Sequence, residues 1–366
     1  LSPELQTKQF FIDNYAFTSS SGLGQWLAEQ DVSVAFTAPF DTMFLLGRDE
    51  DDEAWIVYRG YNKAMGLDHV DTQTLYVATH HHLWRFENVV PVGEVSDDGY
   101  DRVYVPLHAS ATGYINAHDV CMQSSGELVM VNSRFNCLCE PGAGHSNFGP
   151  TWWPPFLPGP VPSDRCHLNG LAMRDGKPAF VTLVSESTRA DGWHGHRDAG
   201  GVVYDVATSE VVATGMSMPH SPRWHNGRLW VTNAGCGEFG YIDLDMGRFE
   251  AVITLPGFVR GVRPVGHYAI VATSKPRHGS VNSGLPLDHV LEKAGIHPVM
   301  GLFVVDLRSG QVCEFLTVER ADLREVFEVI VLPGVRRPKI LSFFEGEHRR
   351  MCWPDTAHES KYEMHA

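Results

Sequence analysis

Short apolar runs separated by turns rich in Gly, Asp and Asn dominate the chain, a rhythm that predicts β-hairpins. The plan is clearest over residues 63–86, where an apolar start leads through a polar turn into the strand TLYVAT. It returns at 116–135, 166–186, 217–235 and 258–275, and a degenerate copy occupies 324–344. The copies begin roughly 40 to 67 residues apart, about the length of one four-stranded propeller blade with its loops. Second hairpins complete several units: GGVVYDVATSEVVATG, GYIDLDMGRFEAVITLPG and GLFVVDLRSGQVCEFLTV all turn at Gly- or Asp-type residues.

Six inner hairpins predict an all-β fold, a six-bladed β-propeller. The N-terminal strands VSVAFTAP, TMFLLGRD and AWIVYRGY then complete the last blade and close the ring. Counted as a blade of their own, they would give seven. The propeller so read spans residues 31–345, with 1–30 as an N-terminal extension holding a short helix and 346–366 as a C-terminal tail. Helical signals are confined to SGLGQWLAEQ (21–30) and LDHVLEKAGI (287–296), the second ending near Gly295. Residues 137–165 are rich in Pro and Gly and too long for a tight blade connection. They are expected to form a lid over one face, with Trp152 and Trp153 as aromatic contacts; a stiff edge wrap is the competing use.

The repeat also returns a histidine to nearly one place. His118 in INAHDV, His167 in RCHLNG and His220 in MPHSPRW recur about fifty residues apart, each just before an apolar strand. In a propeller, the innermost strands begin at one mouth of the central channel and their partners end there. The beginnings supply His118, Asp119, His167, Asn169, His220 and Arg260; the ends supply His80, Asn132, Arg134, Glu186, Asn233 and Lys275. Three neutral imidazoles can hold zinc, iron or copper and leave a position open, so a divalent transition metal is the expected cofactor. Hydrogen bonding to neighbouring carbonyls is the bland use of the same rings. Matching the turn glycines Gly126, Gly176 and Gly227 leaves the histidines a residue or two out of register. Arg260 and Arg134 suit a carboxylate or phosphate through paired N–H donors, with Lys275 as a further substrate contact; ordinary ion pairs are the alternative. Of the other histidines, His80, His81 and His82 read as a rim cluster. Trp193-His194-Gly195-His196 reads as a loop, either lid or solvated surface, and His225 belongs at the opposite mouth.

Composition narrows the classes. Aromatic residues at 11% argue against disorder, and a formal charge of −15 argues against nucleic acid or an anionic membrane as partner. No apolar run approaches the length of a membrane span. Seven cysteines without a CxxC pair read as reduced thiols of a cytoplasmic protein, and Cys137 and Cys139 share one strand face. A homo-oligomer is left open. The sequence carries no nucleophile elbow, P-loop, dinucleotide fingerprint or HExxH helix.

Three resemblances follow. His167-Leu168-Asn169-Gly170-Leu171-Ala172, followed by Asp175-Gly176, resembles the blade motif of the gluconolactonase and regucalcin propellers, which implies an Asn beside a divalent cation. The acidic ligands of that group have no counterpart here. Pro219-His220-Ser221, leading into LWVTNAG, is similar to the repeats of peptidyl-hydroxyglycine lyase, a six-bladed propeller whose three zinc-binding histidines come from well-separated blades. Over nearly its whole length, through VNSRF, CHLNGLA, SPRWHNGRLWVTNAG and SKPR, the chain resembles an uncharacterised bacterial family of conserved hypothetical propeller proteins; this implies the fold and no activity. The combined expectation is a metal-dependent enzyme acting on a small polar molecule at the channel mouth, a hydrolase or lyase using metal-activated water. The alternatives are an iron- or copper-dependent oxidoreductase, a non-catalytic propeller that binds a protein or peptide, and a metal-free sugar- or lactone-binding pocket.

Overall fold

The computed structural model describes residues 5–39, 41–276, 283–343 and 347. Six sheets, each at least four strands deep, hold most of the strands. Their innermost strands are Leu67–Val70, Ala117–Met122, Leu168–Arg174, Pro219–His225, Phe258–Val265 and Val329–Pro333, which define blades 1 to 6. Each innermost strand touches the next, and the sixth returns to the first, so the sheets surround one axis. The protein is a six-bladed β-propeller; the seven-bladed alternative fails because the N-terminal strands have no ring position of their own.

Burial explains why these segments become strands. Val32–Ala38 and Leu128–Asn132 are buried at every position because neighbouring blades cover both faces of each sheet. The outer strand Arg248–Thr254 has no fully buried position. Between blades 2 and 3, for example, Val129, Val131, Leu171, Val181 and Tyr204 form one apolar cluster; full burial of each large apolar side chain is worth roughly 1.5–3 kcal/mol. Tight hairpins join inner strands to their partners. Asp175-Gly176 (φ 54° and 70°) and Asn226-Gly227 (φ 50° and 74°) both take left-handed backbone at two successive residues, as two-residue hairpin turns require.

The ring closes as the N-terminal strands predict. Val329–Pro333 pairs with Val32–Ala38, followed outward by Thr42–Arg48 and Ala54–Gly60. The expected hairpin over 324–344 does not form. The pairing edge of Val329–Pro333 is already taken by the N-terminal strand, and Pro338–Ile340 crosses over to run parallel to Arg102–Ala111 at the outer edge of blade 1. Nor is the segment before residue 31 a separate extension. Thr7–Ile12 and Tyr15–Ser20 add to Gln311–Glu319 and make blade 5 six strands wide. Helix α1 (Leu23–Gln30) buries Leu23, Trp26 and Leu27 against blades 5 and 6. Helix α2 (Pro286–Ala294) starts on Pro286 and ends on left-handed Gly295 (φ 64°). The tail beyond 347 and Cys352 lie outside the described residues.

The first part of the expected lid, residues 137–152, is blade instead, and residues 153–165 are a loop that brings Asp164 to His167. Cys137–Pro141 and Phe148–Trp152 are the third and fourth strands of blade 2. Trp152 donates its indole N–H to Ser209 Oγ at 3.1 Å and packs beside Tyr204 on the outer flank of blade 3. Trp153, which follows it, is 39% exposed. Gly149 and Pro150 hide the strand signal, and Pro is tolerated because this is an edge strand. Cys137 and Cys139 are both buried in one cluster while Leu138 joins another, the period of two expected of a strand. Among the described residues, no helix is long and apolar enough to cross a membrane.

Candidate functional site

Each imidazole of the repeat enters the channel mouth from the beginning of an innermost strand. His118 and His220 each follow the first ladder pair of their blade by one residue, after Ala117–Asn132 and Pro219–Asn233. His167 instead precedes the first pair, Leu168–Leu183, and sits in left-handed backbone at φ 51°. Bulges interrupt the inner strands of blades 2, 3, 4 and 5 just past this point. A bulge re-aims side chains locally, so the register offset visible in the sequence is absorbed by backbone shape. The three histidines come from consecutive blades 2, 3 and 4.

The rings meet. His118 lies 4.8 Å from His167 and 6.4 Å from His220, centroid to centroid. One nitrogen from each ring can be chosen so that all three lie within 4.8 Å of one another. All three residues are buried. In every ring Nδ1 is occupied elsewhere. His118 Nδ1 faces the carbonyl of Asn116 at 3.0 Å and Ser133 Oγ at 2.6 Å, and Ser133 in turn donates to the Leu168 carbonyl. His167 Nδ1 lies 2.6 Å from Asp164 Oδ2, and His220 Nδ1 lies 2.8 Å from the Met218 carbonyl. These acceptors place the proton on Nδ1 and the lone pair on Nε2. His220 Nε2 is buried without a hydrogen-bond partner. Burial, followed by the charges of His167 and Arg260, holds His118 well below the usual imidazole pKa. Burial and then Arg260 do the same to His220. Neutral imidazoles with oriented Nδ1–H groups are the donor set that zinc, iron or copper takes, and outer hydrogen bonds of this kind fix ligand rings in metal sites.

Other groups complete the mouth. Trp193, in the short helical turn Gly192–His196, is buried and stacks on His167 at 4.1 Å. It shares a cluster with Leu287 and Leu291 of α2 and with Phe258, so this turn and α2 pack together beside the mouth. Phe327, from blade 6, lies 5.1 Å from the His118 ring, and the Arg260 guanidinium lies 4.1 Å above Phe327. Asn169 accepts from Thr182 Oγ1 at 2.7 Å, while its Nδ2 is buried without a partner.

The remaining sequence candidates have other work. Arg134 is half-buried in the turn after Leu128–Asn132, and its charge is not among those acting on the imidazoles. Lys275 pairs with Glu319 at 3.7 Å. Asn132 and Asn233 hold turns by accepting the N–H groups of Phe135 and Ser217. Glu186 binds the Tyr204 hydroxyl, His80 stacks on Tyr114 at the rim, and His225 binds the Gly266 carbonyl at the far end of its strand.

One step along the inner strands lies a second polar layer. Arg223 (blade 4) reaches Asp119 (blade 2) at 2.8 Å and Glu328 (blade 6) at 3.0 Å, all buried. Arg223 also donates to the carbonyls of Val262, Leu171 and Pro222. Asp119 accepts the N–H groups of Val120 and Leu171, and Glu328 accepts that of Val329. Burial pushes the Glu328 carboxyl up to about 7 against the pull of Arg223. Blades 1, 3 and 5 contribute Gly66, Gly170 and Gly261 between these charges. A Cβ there would come within about 3 Å of the main chain at Asp119, Ser221 and Val329. The sequence names Asp119 but not the layer it joins, and it does not point to Ser133, Asp164 or Phe327, whereas Trp193 belongs to the loop read as either lid or solvated surface. Only Asp164, three residues before His167, left a local signal.

The chain belongs to the family described as Domain of unknown function (DUF4915), whose model matches residues 21–341. No curated protein matches it. Among similar solved structures is one titled "Crystal structure of Nidogen/Laminin Complex", with TM-score 0.51 and 10% identity over 83% of this chain and 99% of that one. At that identity the likeness bears on the propeller fold alone.

Proposed function

We propose that the protein is a metal-dependent enzyme acting on a small polar molecule at this channel mouth. His118, His167 and His220 would hold one divalent transition metal through Nε2. The observation that carries the reading is the committed Nδ1 of each ring in a cluster of three buried histidines, which leaves Nε2 of each as the atom able to bind a metal. Without a cation the buried Nε2 of His220 stays unpaired, which costs free energy. A metal held there would lower the pKa of a bound water or polarise a carbonyl. We favour hydrolase or lyase chemistry over oxygen chemistry because the nearby Arg260 charge favours an anionic oxygen in the site.

The test is metal analysis of untagged protein together with loading by zinc, cobalt, copper or ferrous iron. The expected result is one equivalent per chain in wild type and none in the triple His→Ala variant. Failure of the wild type to retain any of these metals, or full retention by the variant, defeats the reading. A protein-binding role, of the kind named in the nidogen/laminin title, rests on fold alone. A metal-free wild type that still captures a protein partner would favour it.

A further inference from the structure

Two buried hydrogen-bond donors have nothing to donate to: one on Arg260, next to the imidazoles through Phe327, and one on Asn169, two residues after His167 on the innermost strand of blade 3. Arg260 Nε and Asn169 Nδ2 both lack a partner among the described residues. The Arg260 side chain is 9% exposed and Asn169 is 4% exposed. Leaving such donors unpaired costs about 1–3 kcal/mol each, more where the group is charged. The neighbouring carboxylate does not remove the debt. Glu325 Oε2 is 3.7 Å from Arg260 Nη1, too long for a hydrogen bond, and its charge also acts on Lys63. The guanidinium is held in place by its stack on Phe327, which itself touches His118, so its position relative to the imidazoles is fixed before any ligand arrives.

We propose that the substrate of this site is a small carboxylate monoanion, its carboxylate held by Arg260 and Asn169 and its reacting group presented to the three histidines. This rests on the metal-centre reading for the second half of the sentence and not for the first. A planar carboxylate matches the two parallel N–H bonds of a guanidinium edge. One arginine, partly offset by Glu325, suits a single negative charge better than a phosphate dianion. The flat faces of Phe327, beside His118, and of Trp193, which stacks on His167, are the apolar surfaces next to the site. In a chain of net charge −15, a buried cation only partly offset by Glu325 also attracts an anion.

The experiment uses full-length protein loaded with cobalt(II), titrated with acetate and glycolate and followed by visible absorption, with chloride and inorganic phosphate as comparisons. The expected result is that both carboxylates bind more tightly than chloride or phosphate. Arg260→Gln should weaken them by about tenfold while cobalt affinity holds or rises, since a cation has been removed near the metal. Arg260→Lys should recover only part of the loss, because an ammonium lacks the paired donors. Should Arg260→Gln fail to fold, Arg260→Lys and Asn169→Ala carry the same comparison. Carboxylate affinity unchanged in these variants, or phosphate binding more tightly than both carboxylates, overturns the proposal. If cobalt does not bind, the metal reading falls, and the carboxylate site is decided on metal-free protein by thermal shift. Glycolate protection that Arg260→Gln abolishes upholds it, and no protection ends it.

Discussion

Two polar layers lie one step apart along the same channel, and their hydrogen-bond accounts differ. In the Asp119–Arg223–Glu328 layer the charges meet one another and most of the remaining donors and acceptors meet main-chain groups, although Arg223 Nη2, 3.0 Å from Glu328 Oε2, lies outside hydrogen-bond geometry. In the histidine layer each group is tied down on one side and open on the other: three Nδ1 atoms are occupied, while His220 Nε2, Asn169 Nδ2 and Arg260 Nε have no partner. A satisfied buried network fixes structure, whereas oriented but unsatisfied atoms point to something that is bound. The symmetry differs in the same sense. The ionic layer takes charges from blades 2, 4 and 6 with glycines between, a balanced plug, and the histidines crowd onto blades 2, 3 and 4 and leave blades 5 and 6 to Arg260 and Phe327.

The comparison is broken most directly by Arg223→Met. Stripping Asp119 and Glu328 of their shared cation should cost about 3–5 kcal/mol of stability, read by urea denaturation. A loss below about 1 kcal/mol would mean that the layer is not a structural plug. His220→Ala should do the reverse. Metal affinity should fall roughly a hundredfold or more, measured by competition with a chelating dye, while metal-free stability falls far less than in the Arg223 variant. Asp164→Asn removes only the charge that orients His167, so a tenfold to hundredfold loss of metal affinity is expected. Rings that bound metal equally well without it would show that the orientation lies elsewhere.

Smaller effects come from pH. Glu328 has its folded pKa raised to about 7, so its contribution is full below the unfolded carboxyl pKa and fades as pH rises toward 7. Relative to wild type, Glu328→Gln should therefore gain stability between pH 5 and 8, by on the order of 2 kcal/mol at most. His118 and His220 have lowered folded pKa values. The unfolded chain binds their protons near pH 6.5, so metal-free protein should lose stability as pH falls below that value, by about 1 kcal/mol or more. The triple His→Ala variant should show a flatter profile over the same range. An identical acid limb in both proteins would assign the loss to other groups.

The fold was legible because a repeat amplifies weak local signals. Six apolar–turn–apolar units and the extra N-terminal strands were enough to place the ring and its closure. The misreadings fell where local and tertiary signals conflict. Gly149 and Pro150 in Phe148–Trp152 looked like loop and are an edge strand. The apolar run 329–340 looked like a hairpin and is divided between two blades. Trp152 and Trp153 looked like a lid because aromatic residues in a Pro-rich stretch carry no address, while Trp193, which stacks on His167, lies in the other loop for which a lid was one of two readings. Arg134 and Lys275 shared a channel mouth with Arg260 by count, and only Arg260 has a contact that ties it to the imidazoles, through Phe327.

By itself the sequence determined the propeller, its closing strands and the three recurring histidines, because each of these depends on periodicity along the chain, whereas six blades rather than seven needed the sheet pairing. Tertiary structure alone decided which nitrogen of each ring is free, that Arg223 joins Asp119 to Glu328 across the axis, and that Arg260 stacks on Phe327 beside the imidazoles. Those facts depend on distances between residues up to 209 positions apart (Asp119 and Glu328), brought together by the packing of blades around a common axis, and no local pattern encodes them.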